Sequence, residues 1–212
     1  RFADYAVAVH DAFADRVDLW STLNEPWCSA FLGYHSGRHA PGRREPGAAL
    51  AAVHHLLLGH GLALQALLED ARPAERFAIT LNLSPVTPAT DRPEDAQAAH
   101  LIDGLQNRVF LDALLRGGYP ADVVRATSGI CDWGFVRGGD ERLISQPLDL
   151  LGVNYYTPMR VTVDPLSGGH HEYPATVGVR VLPPDGPLTA MGWQISPGSL
   201  TGLLVRLGKE YA

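Results

Sequence analysis

The sequence predicts an α/β chain built on about three parallel strands with their helices, and three observations carry that prediction. Apolar runs short enough for buried strands, at 17–20, 77–83 and 148–156, alternate with segments whose apolar residues recur at helical spacing. The runs end in polar side chains: Asn24-Glu25 before Pro26, Asn82 before Ser84-Pro85, and Asn154 with Tyr156 in the third. The alternation itself calls for parallel pairing with right-handed crossovers, and no internal repeat or linker marks a second domain.

Composition narrows the function classes. With 212 residues, 46% of them hydrophobic, the chain can bury a real core and amounts to one domain or part of one. The net charge is −6 and no basic cluster goes beyond Arg43-Arg44, so nucleic acid is not an expected partner. No run approaches the roughly 18 apolar residues of a membrane span and no signal peptide is visible, so no membrane partner is expected either. Cys28 and Cys131 have no metal-ligand spacing and read as free thiols, which makes a cytoplasmic setting the default. A chain opening at Arg1 is expected to have lost its true beginning.

Taken in order, Phe2, Tyr5, Ala6, Val9 and Phe13 predict an amphipathic helix to residue 14, and Val17-Asp18-Leu19-Trp20 a buried strand. Pro26 cannot donate to a sheet ladder, so Asn24 and Glu25 fall where that strand gives way to its loop. Parallel α/β folds bind ligands at that end, and a carboxylate there is poorly explained by folding alone. Residues 28–46, dense in Gly, His and Pro, read as a loop. Leu50, Val53, Leu57, Gly61, Leu64 and Leu68 predict a helix over 46–70. Its His54, His55 and His60 lack the spacing of a helical metal pair, so no metal is expected. Phe77–Leu83 is the second strand, and Pro93 sits well in the first turn of a helix that runs to Leu115 and stops at Gly117-Gly118-Tyr119-Pro120.

In the third strand, period two puts Leu150, Gly152, Asn154 and Tyr156 on one face and Leu151, Val153 and Tyr155 on the other. The polar pair assigns the first face to the interior. Residues 157–187 alternate around Gly168-Gly169 as a hairpin expected to lie over the cleft, and a last helix covers 200–211.

The octet Trp20-Ser21-Thr22-Leu23-Asn24-Glu25-Pro26-Trp27 resembles the acid/base segment of glycoside hydrolase family 1, the β-glucosidase family, which reads Trp-x-Thr-Leu-Asn-Glu-Pro. Further stretches are similar to the same family: His39-Ala40-Pro41-Gly42, the His54-His55 and His60-Gly61 helix, and Asn107 to Asp112 followed by Gly118-Tyr119-Pro120. So are Leu151-Gly152-Val153-Asn154-Tyr155-Tyr156 and the run from Gly192-Trp193. Val109 replaces the usual tryptophan, and Gln194 and Ser199 also depart from the pattern.

The resemblance implies a partial (β/α)₈ TIM barrel, with residues 1–212 a single domain from the interior of a barrel roughly twice this length. It implies a retaining β-glycosidase, and within that class a β-glucosidase, acting on a small carbohydrate such as a β-glucoside or cello-oligosaccharide. Glu25 takes the acid/base role, Asn24 holds the sugar 2-hydroxyl, and Tyr156 hydrogen-bonds the nucleophilic carboxylate beside Asn154. Asn82 faces the leaving-group side and His39 the aglycone, while Trp27 and Trp193 offer flat rings against it. No cofactor or metal is implied.

Retaining chemistry needs two carboxylates about 5 Å apart. The family's Ile-Thr-Glu-Asn-Gly nucleophile segment has no match here, so this segment alone is expected to be inactive. In the complete protein the second carboxylate and the apolar walls are expected to raise the Glu25 pKa. Two other readings stay open: a non-catalytic carbohydrate-binding barrel, and a 6-phospho-β-glycosidase.

Overall fold

The computed structural model describes residues 1–211. Helix α1 (Phe2–Phe13) leads into β1 (Leu19–Asn24), then α2 (Pro46–Glu69) crosses over to β2 (Arg76–Asn82). A short β3 (Val86–Pro88) precedes α3 (Pro93–Asp103), α4 (Val109–Leu115), α5 (Ala121–Ala126) and α6 (Asp140–Ile144). Strands β4 (Leu150–Asn154), β5 (Met159–Val163) and β6 (Val179–Val181) follow, and α7 (Pro197–Glu210) ends the described chain.

The main sheet has the order β1-β2-β4, all parallel, as the alternation of elements requires. Asn82 stands opposite Asn154 and Asn24 opposite Thr80, so the polar strand ends lie side by side at one edge of the sheet. Period two divides β2: Phe77, Ile79 and Leu81 are buried toward the helices, while Thr80 and Asn82 share the opposite face. That division carries into β4, where Leu151, Val153 and Tyr155 pack on the core and Leu150 is 49% exposed.

The main core fills the space between sheet and helices, with Leu50 and Leu57 of α2 and Ile102, Phe110 and Leu111 of the later helices enclosed, and a smaller buried cluster of Leu64, Leu67 and Phe77 lies beside it. The other sheet face is largely uncovered, and the three strands form part of an α/β barrel without closing it. By length and composition α2 is apolar enough to cross a membrane. Here it packs on α1, α4, α6 and β1 with His54 and His60 buried along it. His54 bonds Tyr119 and Asp140, and His60 Nδ1 meets the Thr22 hydroxyl at 2.6 Å.

Residues 28–46 are not all loop. Cys28–His35 forms wide helical turns, with Ser36 N–H donating to Phe31 O, because Ala30 and Phe31 bury themselves in the core. The helix expected over 91–115 runs nearly as drawn, but with a wide turn at Gly104–Arg108. Asn107 in that turn brackets the end of β2 by bonding both Ser84 N–H and Ser84 O.

The hairpin forms, with Val161 opposite Val181, and β3 joins β5 in parallel to make a second sheet of three strands. Asp95 of α3 ties it down by accepting from Thr162 Oγ1 and Val163 N–H. The short β3, α5 and α6 carry too little periodicity to be read from sequence.

Candidate active site

Glu25 immediately follows β1, and its backbone is left-handed with φ +50°. That region is uncommon for any residue but glycine and is a form of strain found at functional sites. The strand also slips register between Ser21 and Asn24, which re-aims the side chains beyond it. Glu25 N–H donates to Thr80 O at 2.8 Å, and Cys28 N–H donates to Glu25 O at 2.9 Å to start the wide helical turns. Pro26 costs nothing there, since the first turn of a helix does not use its N–H.

Three residues donate to the carboxylate. Glu25 Oε1 accepts from the Tyr156 hydroxyl at 2.6 Å and from Asn154 Nδ2 at 2.7 Å. The same Asn154 amide donates to Asn24 Oδ1 at 3.0 Å. Glu25 Oε2 accepts from Cys28 Sγ at 3.3 Å. Asn154 ends β4 and Tyr156 follows two residues on, and both reach the site from the side away from the core, as period two anticipated. Trp193 borders it, its ring centroid 5.0 Å from that of Tyr156, and is 37% exposed. Asn82, on the adjacent strand end, accepts from Gln106 Nε2 at its backbone carbonyl, while its Oδ1 is buried without a partner among the described residues.

The expectation that Trp27 offers a flat ring to the aglycone is corrected. Trp27 is 7% exposed and packs on Phe31 and Tyr173 at centroid distances of 5.9 and 5.7 Å. It offers no open face for stacking on an aglycone, because the wide helical turns that follow Glu25 carry it into the core. His39 is exposed in the 37–42 loop, where its N–H donates to Leu32 O, and no bond joins it to the Glu25 cluster. The neighbouring Arg38 pairs with Glu172.

Among the described residues the acceptor of the Tyr156 hydroxyl is Glu25, and the nucleophile segment has no counterpart in this sequence to compete for it. With no second carboxylate beside it among the described residues, Glu25 has its pKa lowered. Burial, the largest single influence, pushes it up, but the donors Tyr156, Asn154 and Cys28 together outweigh it. In return Glu25 pushes the Tyr156 phenol up to about 12.

Cys28 is the member of the cluster that sequence reasoning missed. Its signal is its position three residues after Glu25, which becomes a shared helix face only if residues 28–35 are read as helical.

Chemically, this is a carboxylate on a strained backbone with both oxygens hydrogen-bonded, at the ligand-binding end of a parallel sheet, bordered by an aromatic ring. A proton donor and acceptor for a polar substrate fits that arrangement.

Comparison with known proteins gives a match to glycosyl hydrolase family 1 over residues 1–212. The bifunctional β-D-glucosidase/β-D-fucosidase of Bifidobacterium breve is 45% identical over 216 aligned residues, covering all of this chain and 46% of that protein. The thermostable β-glucosidase B of Thermobispora bispora is 43% identical over all of this chain and 42% of its own length. The crystal structure of a psychrophilic β-glucosidase from Micrococcus antarcticus superposes with a TM-score of 0.91 at 42% identity, covering 99% of this chain and 47% of that one. The chain thus spans about half the length of the relatives it matches.

Proposed function

This chain belongs to glycosyl hydrolase family 1, and on that premise we propose that it carries the acid/base half of a retaining β-glucosidase, with Glu25 as the acid/base. The observation that supports this most is the Glu25 carboxylate itself, outside the regular strand and bonded by Tyr156 and Asn154 from another strand end. In the first step protonated Glu25 gives its proton to the glycosidic oxygen while a second carboxylate bonds the anomeric carbon. In the second step ionised Glu25 takes a proton from water, which releases the sugar. General acid help of this kind is commonly worth about 10²–10⁴ in rate.

Asn24 and Asn154 are the proposed ligands of sugar hydroxyls. The unpartnered Oδ1 of Asn82 suits a hydroxyl on the leaving-group side, because a buried acceptor without a donor is costly until something fills it. Trp193 serves the aglycone. A general acid must hold its proton near neutral pH, and Glu25 as found here is biased toward the ionised form. A second carboxylate would supply the missing bias, by like-charge repulsion and by competing for the Tyr156 hydroxyl.

No other carboxylate among the described residues bonds into the Glu25 cluster, so residues 1–212 on their own are expected not to turn over an aryl β-glucoside. For the intact protein, NMR of the first-formed product of a β-glucoside tests the class. β-Glucose appearing first, with turnover lost in Glu25→Gln, is the expected result; α-glucose first would overturn the retaining mechanism.

A further inference from the structure

The two oxygens of Glu25 are held differently. Oε1 has two donors, the Tyr156 hydroxyl at 2.6 Å and Asn154 Nδ2 at 2.7 Å, whereas Oε2 has the Cys28 thiol at 3.3 Å. An amide nitrogen cannot accept a hydrogen bond, so a proton can enter Oε1 only on the side of the Tyr156 hydroxyl, which must then turn from donor to acceptor. Oε2 has a single, longer contact from a weak donor and takes a proton at less cost.

We propose that Cys28 is a positioning residue for Glu25: its thiol holds Oε2 while Asn154 fills Oε1, so that the catalytic proton moves on and off Oε2. The inference rests on the acid/base reading of Glu25 and deepens it.

A thiol suits this place. The S–H group is a weak donor and sulfur a weak acceptor, so Cys28 supports the ionised carboxylate yet gives way at little cost when Oε2 takes a proton. A serine hydroxyl there would grip the ionised form harder. The thiol also stays a thiol, because burial first and then the Glu25 charge push it up to about 12. Its reach is set by the bond from Cys28 N–H to Glu25 O at 2.9 Å, which locks the two residues into one turn.

The proton balance is simple. The O–H bond on Oε2 breaks and the proton bonds the glycosidic oxygen. That oxygen keeps the electron pair of its bond to the anomeric carbon, which the carboxylate nucleophile attacks. In the second half the water proton returns to Oε2.

The test compares Cys28→Ser and Cys28→Ala with the unmodified intact protein. Two quantities are read: the alkaline limb of kcat/KM on a β-glucoside with a poor leaving group, and the ¹³C carboxyl titration that Glu25→Gln removes. Cys28→Ser is expected to move both to lower pH and Cys28→Ala to higher pH, with KM nearly unchanged. Shifts in the same direction for both variants, no shift in either, or a change in KM alone would overturn the inference. Opposite carboxyl shifts in a protein without turnover would uphold the positioning and defeat the glucosidase reading. Turnover with an unmoved titration would defeat the positioning alone.

Discussion

The Tyr156 hydroxyl lies 2.6 Å from Glu25 Oε1, although 131 residues separate the two in the chain. Strand β2 brings them together, pairing β1 on one side and β4 on the other. Registry decides the outcome: a slip of one residue in β4 would turn Asn154 and Tyr156 toward the helices and take both donors from Glu25.

Replacing Tyr156 by Phe removes the shorter of the two donors on Oε1. Since that bond lowers the Glu25 pKa, its loss raises the pKa, and the ¹³C carboxyl titration of Glu25 in residues 1–212 is expected to move to higher pH. Tyr156 is 44% exposed, so the melting temperature should barely change. An unmoved titration would show that the hydroxyl does not act on Glu25.

Gly152 explains why a flexible residue stands in the middle of β4. A Cβ there would run into the Thr80 hydroxyl and come within 3.0 Å of Thr80 Cβ on the paired strand. Gly152→Ala is expected to destabilise the protein by about 1–3 kcal/mol, the usual cost of overpacking. Adding Thr80→Gly should restore part of the loss in denaturant unfolding. Equal stability of Gly152→Ala and the parent would mean that the strands separate freely here.

Much of this was legible in the sequence, and the reasons are physical. Strands β1, β2 and β4 and helices α1, α2 and α7 show because apolar residues repeat with the period of the element that buries them. The polar ends Asn24, Asn82 and Asn154 show because a buried sheet has no structural use for them. What stayed hidden depends on contacts distant in sequence. Residues 28–35 look like loop until Phe31 finds the core, and only their helical form brings Cys28 to Glu25 and buries Trp27. The balance that sets the Glu25 pKa in this chain, burial against three donors, was also out of reach, because two of the donors are far along the chain.

Asp95 anchors α3 to the hairpin, and its carboxyl is held well below the ordinary range by the Thr90 hydroxyl first and the Val163 N–H next, with help from Thr162 and Arg92. A lowered folded-state pKa adds stability that is present above the unfolded value of about 4 and is lost as pH falls through the folded value. The melting temperature of the intact protein is therefore expected to fall on acidification from neutral to about pH 3, and to fall less in Asp95→Asn. An identical acid slope in the two proteins would remove Asp95 from the balance.

The central claim is that Glu25 donates and accepts the proton, and Glu25→Ala in the intact protein tests it most directly. Substrates with poor leaving groups need the acid and activated aryl β-glucosides need little of it in the first step. The measurement is turnover of both substrate types with and without azide, and the configuration of the product. Near-complete loss on the poor leaving group, survival on the activated one and formation of the β-glycosyl azide are predicted. Equal loss on both, with no azide product, would contradict the assignment.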